Sequence, residues 1–362
     1  EEGRHVIEVL SDAFERADRQ RSAELEGRFG ELPNVDVLVT GAAGFLGRVL
    51  VERLHAQGKR VRVLVRRPAA WLSYLSGVQV VVGDLGEPAI VDHAIAGASI
   101  VYHVGAAMKG SLRDFEAGTI WGTRNVIESC RKHGTERLVY VSSLSVLDHA
   151  GRDPGKQLTE SSAYEPHPDR RGAYTQTKLE AEKMVIKAIE ENGLPAVVIR
   201  PGQIFGPGAE KVTPNGVVGL AGRWVAVGSA HQTIPLVYVD DVVDALVNAS
   251  TAPAALGKII NVVDSLEITQ GIYLDACKRH HGSDLKVVRV PTAVFMALGF
   301  GVELLGKVLK RSVPLTPYRV RSLRPLARFD LERARTMLGW TPQIGVMQGL
   351  ERTFARAGEK KR

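Results

Sequence analysis

From Val35 onward the chain alternates short, nearly continuous apolar runs with longer segments whose apolar positions recur every three or four residues. The runs are Val35–Thr40, Val61–Val65, Val78–Val82, Ile100–His103, Leu138–Val141 and Ala196–Arg200. Short runs rich in Val, Ile and Leu predict strands buried on both faces, and such strands separated by helices form a parallel sheet. Right-handed crossovers then place helices on both sides of it. The pattern predicts an α/β fold, a doubly wound parallel sheet. Two helices stand out: Phe45–Gln57, stopped by Gly58, and Gly172–Asn192, stopped by Gly193. Glycine just past the last apolar position is a usual helix end, because it adopts the left-handed backbone without strain.

After Arg200 the rhythm changes. Residues 201–235 are rich in Gly and Pro and weakly periodic, Leu236–Val239 and Lys258–Val262 again read as strands, and 264–325 mix helical signals with basic and apolar stretches. The expected organisation is a sheet domain over 34–205 and a smaller C-terminal lobe over 206–362, with 236–262 returning to the sheet. Residues 1–33 form a separate N-terminal extension, charge-rich and helix-favouring, that begins with Glu. It reads as a trimmed terminus or as the tail of an upstream fused domain. Its run GRHVIEVLSDAFERA resembles, over a short length, the C-terminal helix of the glucose-fructose oxidoreductase family, and reads equally as a surface helix that packs locally.

Composition narrows the function classes. The 362 residues are 44% hydrophobic and 24% charged, ordinary for a globular chain. The net charge of +7 comes from cations scattered along the chain, with short clusters such as Arg66-Arg67, Arg170-Arg171 and Lys360-Lys361-Arg362. No basic stripe interleaved with aromatics occurs, so nucleic acid is not an expected partner. Cys130 and Cys277 have neither a CxxC partner nor a His at metal-ligand spacing, which predicts two reduced, buried thiols and no metal site. No signal peptide and no run of about 18 apolar residues is present, which points to a cytoplasmic protein.

The first strand ends in Thr40-Gly41-Ala-Ala-Gly44-Phe45-Leu46-Gly47 and opens the first helix. Gly41 permits the tight turn, Gly44 lets backbone approach a pyrophosphate, and Gly47 lets helix and strand pack closely. Backbone N–H groups and the positive helix end then face the anion. The pattern predicts a Rossmann-type dinucleotide turn, the other reading being a purely structural strand-to-helix turn. The second strand ends in Arg66-Arg67-Pro68, with no carboxylate for free ribose hydroxyls. Two guanidinium groups suit a 2′-phosphate, so NADP is favoured over NAD, the other reading being a solvated basic turn. Asp84 and Leu85 follow the third strand, where the adenine edge would lie, and small residues at Gly105-Ala106-Ala107 follow the fourth.

Tyr174 and Lys178 lie four apart in a helical segment, so both project from one face. An ammonium near a phenol stabilises the phenolate, lowering its pKa and enabling proton exchange near neutral pH. The fifth strand ends in Ser142-Ser143, hydroxyls at the carboxyl end of a buried strand where ligands bind in such sheets. Either can hold a substrate oxygen, with Ser143 preferred.

With these motifs assembled, the chain resembles an extended short-chain dehydrogenase/reductase, the NAD-dependent epimerase/dehydratase group. TGAAGFLG, GDL, VYHVGAA, GTRNVIESC, VYVSS, YTQTK, IRPGQIFGPG and VYVDDVVDAL appear in family order between about Val35 and Thr353. The resemblance implies Ser143, Tyr174 and Lys178 as the catalytic triad. It implies cofactor contacts from Gly41, Gly44, Phe45, Leu46, Gly47, Asp84, Ala106 and Lys178, with Pro201 and Ile204 beside the nicotinamide. It also implies a homodimer through the Tyr174 helix.

Departures from the family pattern bear on the substrate. Sugar-nucleotide members carry Asn where Gln203 stands, and Arg-Asp just before VYVDD, where this chain has Ile234-Pro235-Leu236. An apolar Ile makes no charge-assisted contact to a diphosphate. Thr119 stands where many relatives have an Asn that supports the proton relay. IRPGQIFGPG is closer to the hydroxysteroid-dehydrogenase and dihydroflavonol-reductase branch. The expected activity is NADP-linked interconversion of a secondary alcohol and a ketone on a bulky, largely apolar small molecule. The rivals are a sugar-nucleotide epimerase or dehydratase holding NAD tightly, and a non-catalytic dinucleotide sensor.

The apolar run PTAVFMALGFGVELLGKVLK, over Pro291–Lys310, is too short and glycine-rich to span a bilayer. It reads as a core helix of the small lobe, the lining of an apolar substrate pocket, or a membrane contact through 291–311 with Lys307, Lys310 and Arg311 at the headgroups. Arg319, Arg321, Arg324 and Arg328 follow, as a solvated face or as partners for an anionic substrate group.

Overall fold

A computed structural model of the chain describes residues 32–148, 157–210, 212–220, 222–281, 285–308, 316–323 and 328–359. The extension assigned to residues 1–33, apart from its last two residues, lies outside them, as do Lys310, Arg311, Arg324 and the Lys360–Arg362 tail.

The chain opens with β1 (Val35–Thr40), α1 (Phe45–Ala56), β2 (Val61–Val65), β3 (Gln79–Val82), α2 (Pro88–Ile95), β4 (Ala98–His103), α3 (Gly122–Lys132) and β5 (Arg137–Val141). It continues with α4 (Ala173–Asn192), β6 (Ala196–Pro201), β7 (Gln203–Phe205), β8 (Leu236–Tyr238), α5 (Val239–Thr251) and β9 (Ile259–Val262). Seven of these strands form a sheet in the order β9-β6-β5-β4-β1-β2-β3, and its registered pairs run parallel. The order reverses direction at β1, so the sheet is wound both ways, as the apolar pattern predicts. Strands β1 and β2 have the expected bounds.

By contacts the chain divides into two compact units, Glu1–Val141 with Glu180–Val197, and Ser142–Leu179 with Val198–Arg362. In the first, Val37, Leu38 and Val39 of β1 are buried, as are Leu50, Val51 and Leu54 of α1. The apolar run of β2 hides one exception. Arg62 is fully buried and donates to the carbonyls of Pro33, Ala94 and Ala96 and to Gln79 Oε1. Burial pushes its guanidinium down to about 10, which still leaves it protonated at neutral pH. Four acceptors offset the desolvation that an unpaired buried charge would suffer.

In the second unit β6 pairs with β9 as far as Pro201 beside Val262. There the chain changes partner. Gly202 N still donates to Val262 O (2.9 Å), while Gln203 N donates to Pro235 O (2.7 Å) and β7 runs on beside β8. A side chain at Gly202 would collide with the Pro235 carbonyl. The expected return of 236–262 to the main sheet is thus made only by Ile259–Val262; β8 belongs to a two-stranded sheet with β7. The weakly periodic stretch also holds a hairpin, Val217–Leu220 with Arg223–Val227, joined in parallel by Val287–Val290.

The unit ends with α6 (Thr292–Val308), α7 (Pro317–Ser322) and α8 (Gly345–Glu359). Gly299 is the contact point of α6 with α7, since a Cβ there would sit 3.2 Å from Pro317 N. The other side of α6 is open: Val294, Leu298, Phe300 and Leu304 are exposed, Leu304 to 65%. Among the described residues of α6 only Gly299 is buried, so the helix rests on α7 by that face and is not a core helix. No helix among the described residues is long and apolar enough to cross a membrane. Of the arginines after α6, Arg328 pairs with Glu267 (2.6 Å) and Arg319 donates to Arg170 O (3.2 Å). Cys130 and Cys277 are buried free thiols, both pushed up to about 12 by burial, as expected of inert thiols.

Candidate active site

The first unit carries the glycine turn. Gly41 has φ +71°, and a Cβ there would meet Gly105 Cα at 2.6 Å. Gly44 N donates to Gly41 O (2.9 Å), closing the turn. A Cβ on Gly47 would collide with that same carbonyl, so helix and strand approach to a distance that only glycine allows. Gly44 is exposed and has nothing but the Gly41 carbonyl within 4 Å of a notional Cβ. It caps α1 without any side-chain hydrogen bond, and no acidic residue follows in the first turn. Backbone N–H groups at that helix end therefore face outward unclaimed by a cap, which fits an anion. Phe45 is half-buried and Leu46 buried beside them.

Arg66 and Arg67 are exposed directly after β2. Asp84 is half-buried and its Oδ1 accepts from Gly86 N (2.8 Å), which stiffens the turn after β3. The Leu85 carbonyl accepts from Asn125 Nδ2 (2.8 Å), and its side chain lies where a Cβ on Gly105 or Gly122 would clash. Ala106 is half-buried after β4, and the next residue, Ala107, donates its N–H to Thr119 Oγ1 (3.1 Å). Thr119 sits in a single π-helical turn, Glu116–Trp121.

Sequence reasoning passed over a group beneath this turn. His103 is fully buried at the end of β4, its Nδ1 2.8 Å from Thr40 Oγ1 and its Nε2 3.0 Å from Thr123 Oγ1. Thr40 Oγ1 also accepts from Gly105 N (3.2 Å). The imidazole thus ties the ends of β1 and β4 together, the two segments that meet at Gly41 and Gly105. A histidine closing an otherwise apolar strand was the available signal.

The second unit carries Ser143, Tyr174 and Lys178. Ser142 is buried and continues the β5 ladder, donating N–H to Ile199 O (2.7 Å). Ser143 leaves the ladder and caps a short 3₁₀ turn, Leu144–Val146, its Oγ accepting from Ser145 N (3.1 Å). With Oγ accepting there, its proton is available to Tyr174, and the two hydroxyls are hydrogen-bonded. Tyr174 stands in the first turn of α4, and Lys178, one turn on, is 3% exposed. Burial pushes the Tyr174 phenol up, and the bond from Ser143, which pulls it down, does not offset this. That corrects the sequence argument, which expected a phenol lowered by Lys178. Pro201 is buried where the strand changes partner, and Ile204 is half-buried in β7.

The substrate departures also have a structural sense. Gln203 bridges to a neighbouring loop, accepting from Asn215 N (2.8 Å) and donating to Thr213 O (3.0 Å). Ile234 is buried in the core at 3% exposure, so the position offers nothing to a diphosphate. No cluster of three or more His, Cys, Asp or Glu suited to a metal exists among the described residues.

A family model described as NAD dependent epimerase/dehydratase matches residues 37–262. The chain belongs to that family. The match covers the glycine turn, the Ser143–Tyr174–Lys178 group and β9, so the extended short-chain dehydrogenase/reductase resemblance holds. Among curated relatives, the 3beta-hydroxysteroid-dehydrogenase/decarboxylase isoform 2 of Arabidopsis thaliana is 32% identical, over 88% of this chain and 61% of its own length. The 2-alkyl-3-oxoalkanoate reductase of Stenotrophomonas maltophilia is 31% identical, over 88% of this chain and 98% of its own. The chain thus spans about three fifths of the first and nearly all of the second. Among solved structures, UDP-glucuronic acid 4-epimerase from Bacillus cereus, in complex with NAD, superposes with a TM-score of 0.68 at 18% identity, over 90% of this chain and 99% of that one. At that identity the likeness shows the shared fold.

Proposed function

We propose that this family member is an NADP-linked oxidoreductase that interconverts a ketone and a secondary alcohol on a bulky, largely apolar small molecule. The observation that carries the reading is the hydrogen bond between Ser143 and Tyr174, with Lys178 one helical turn away. When bound, a nicotinamide dinucleotide supplies the hydride chemistry. The turn from Gly41 to Gly47, whose glycines let backbone N–H groups approach closely, is suited to hold its pyrophosphate, and Arg66 or Arg67 to hold a 2′-phosphate. Tyr174 gives its hydroxyl proton to the carbonyl oxygen during reduction and takes it back during oxidation. Ser143 hydrogen-bonds that oxygen and keeps it in reach of the phenol. Lys178 supplies the positive charge that eases the phenolate when the proton leaves.

The substrate class rests on two supports. Buried Ile234 replaces the arginine that grips a diphosphate in sugar-nucleotide members. The relatives named above, at 31% and 32% identity, carry names for a hydroxysteroid and an alkyl oxoalkanoate. The test is calorimetry with NADPH and NADH on the wild type and on Arg66→Asp, followed by a screen of apolar ketones with the preferred dinucleotide. NADPH preference that disappears in the variant, with ketone-dependent oxidation of NADPH, is the expected result. Dinucleotide that copurifies and never exchanges would instead favour an epimerase.

A further inference from the structure

Beside the Ser143–Tyr174 pair lies a second buried polar group that proton transfer does not use. Glu165 is 3% exposed, and the Arg171 guanidinium packs against it, Nη1 to Oε2 3.5 Å. The same Nη1 donates to the carbonyl of Ser145 at 2.6 Å. Glu165 N donates to the carbonyl of Val146 at 2.9 Å, and its Oε1 accepts from His167 N (3.0 Å) and from the hydroxyl of Tyr318 on α7. The charged and titratable groups around them are Asp148, which acts on both Arg171 and Tyr318, the Arg170 guanidinium 6.0 Å from the Tyr318 ring, and the His167 ring 5.7 Å from it.

A buried ion pair is a weak source of stability, because desolvation offsets most of the attraction. Its geometry points to another use. The carbonyls held by Arg171 and Glu165 belong to consecutive residues of the turn that Ser143 caps. In that turn Ser145 N donates to Ser143 Oγ, and Ser143 bonds the Tyr174 hydroxyl. Arg171 itself precedes Gly172, whose φ of +125° lets the chain reverse into α4. The clamp and Tyr174 therefore leave the same bend in the chain.

We propose that Arg171 and Glu165, with Tyr318 as their third member, are positioning residues that set the direction of the Ser143 hydroxyl toward Tyr174. The proposal rests on the Ser143–Tyr174 reading above for its consequence in turnover, and on the geometry of the turn for everything else. The clamp also connects α7, a helix of the C-terminal segment, to the proton-transferring pair.

The experiment follows ionisation of Tyr174 by the phenolate absorbance that Tyr174→Phe abolishes, alongside kcat and KM against pH. Arg171→Met should move the Tyr174 midpoint upward, because the bond that pulls the phenol down is misaligned. It should lower kcat about tenfold with the dinucleotide KM nearly unchanged, the scale of a small misplacement. Arg171→Lys, which keeps a donor for the Ser145 carbonyl, should recover part of both. In a Ser143→Ala background Arg171→Met should leave the midpoint where Ser143→Ala alone puts it. If Arg171→Met does not fold, Tyr318→Phe carries the same measurement with a smaller shift. A midpoint that stays put while the melting temperature falls would make the clamp a purely structural brace and overturn the proposal. Full turnover in Tyr174→Phe would remove the catalytic reading, and the absorbance midpoint would still decide the positioning.

Discussion

The glycine turn after β1 and the Ser143–Tyr174 pair are built on opposite principles. At the turn, function follows from atoms that are absent. Gly41 abuts Gly105, Gly47 abuts the Gly41 carbonyl, and Gly44 is exposed with only that carbonyl beside it. At the pair, function follows from polar atoms that are present, each held by another: Arg171 on Ser145, Ser145 on Ser143, Ser143 on Tyr174. Adding a methyl should break the first, and removing an oxygen should break the second. The two failures differ in kind, since steric overlap disturbs folding and binding, whereas a lost proton donor disturbs only the chemical step.

Removing the oxygen should have the largest effect. Tyr174→Phe is expected to cut turnover about a hundredfold or more, the usual scale for a lost acid/base group. Dinucleotide affinity, measured by calorimetry on the same preparation, should hardly change. A comparable loss of affinity would mean that the two regions are not separable in this way. Adding the methyl comes next. Gly47→Ala places a Cβ against the backbone carbonyl of Gly41, which has no rotamer to escape into. Overpacking of this sort costs about 1–3 kcal/mol. Chemical denaturation should show that loss together with weakened dinucleotide binding. A variant as stable as wild type would show that α1 can slide away from β1.

The same contrast explains what was legible in the sequence. Glycine spacing encodes steric necessity directly, so the turn, β1 and β2 could be placed from the residues alone. Tyr174 and Lys178 were legible because four-residue spacing is itself a geometry. Arg62 was not, for a cation inside an apolar run leaves the hydrophobic period intact while its four acceptors lie on distant segments. Nor was the clamp on Ser143, whose members are 26 residues apart at Ser145 and Arg171 and 153 apart at Glu165 and Tyr318. The direction of the Tyr174 shift was misread for a related reason, since burial is a tertiary quantity that a local Lys does not report. The hairpin at 217–227 was missed because its strands, four and five residues long, are too short to carry a clear alternation. The apolar period of α6 told of a helix but not that its Leu298–Leu304 side stays uncovered.

The smallest effect is expected where neither principle operates. Asp92 in α2 accepts from Lys132 Nζ (2.7 Å) and His133 Nε2 (2.9 Å) at the end of α3, within the unit that carries the glycine turn. Burial alone would raise its carboxyl, but these two hydrogen bonds outweigh burial and hold it below its ordinary value of 3.8. A folded value below the unfolded one means stability that is present above pH 3.8 and is lost as the pH falls through the folded value. Lys132 is 61% exposed, so solvent screens its part of the attraction. Asp92→Asn should therefore cost less than about 1 kcal/mol at neutral pH. The difference from wild type should close on acidification, and dinucleotide affinity should be unchanged throughout. A larger cost, or a loss of binding that tracks protonation of Asp92, would mean that charge helps to shape the glycine turn, and the steric account of that region would then be incomplete.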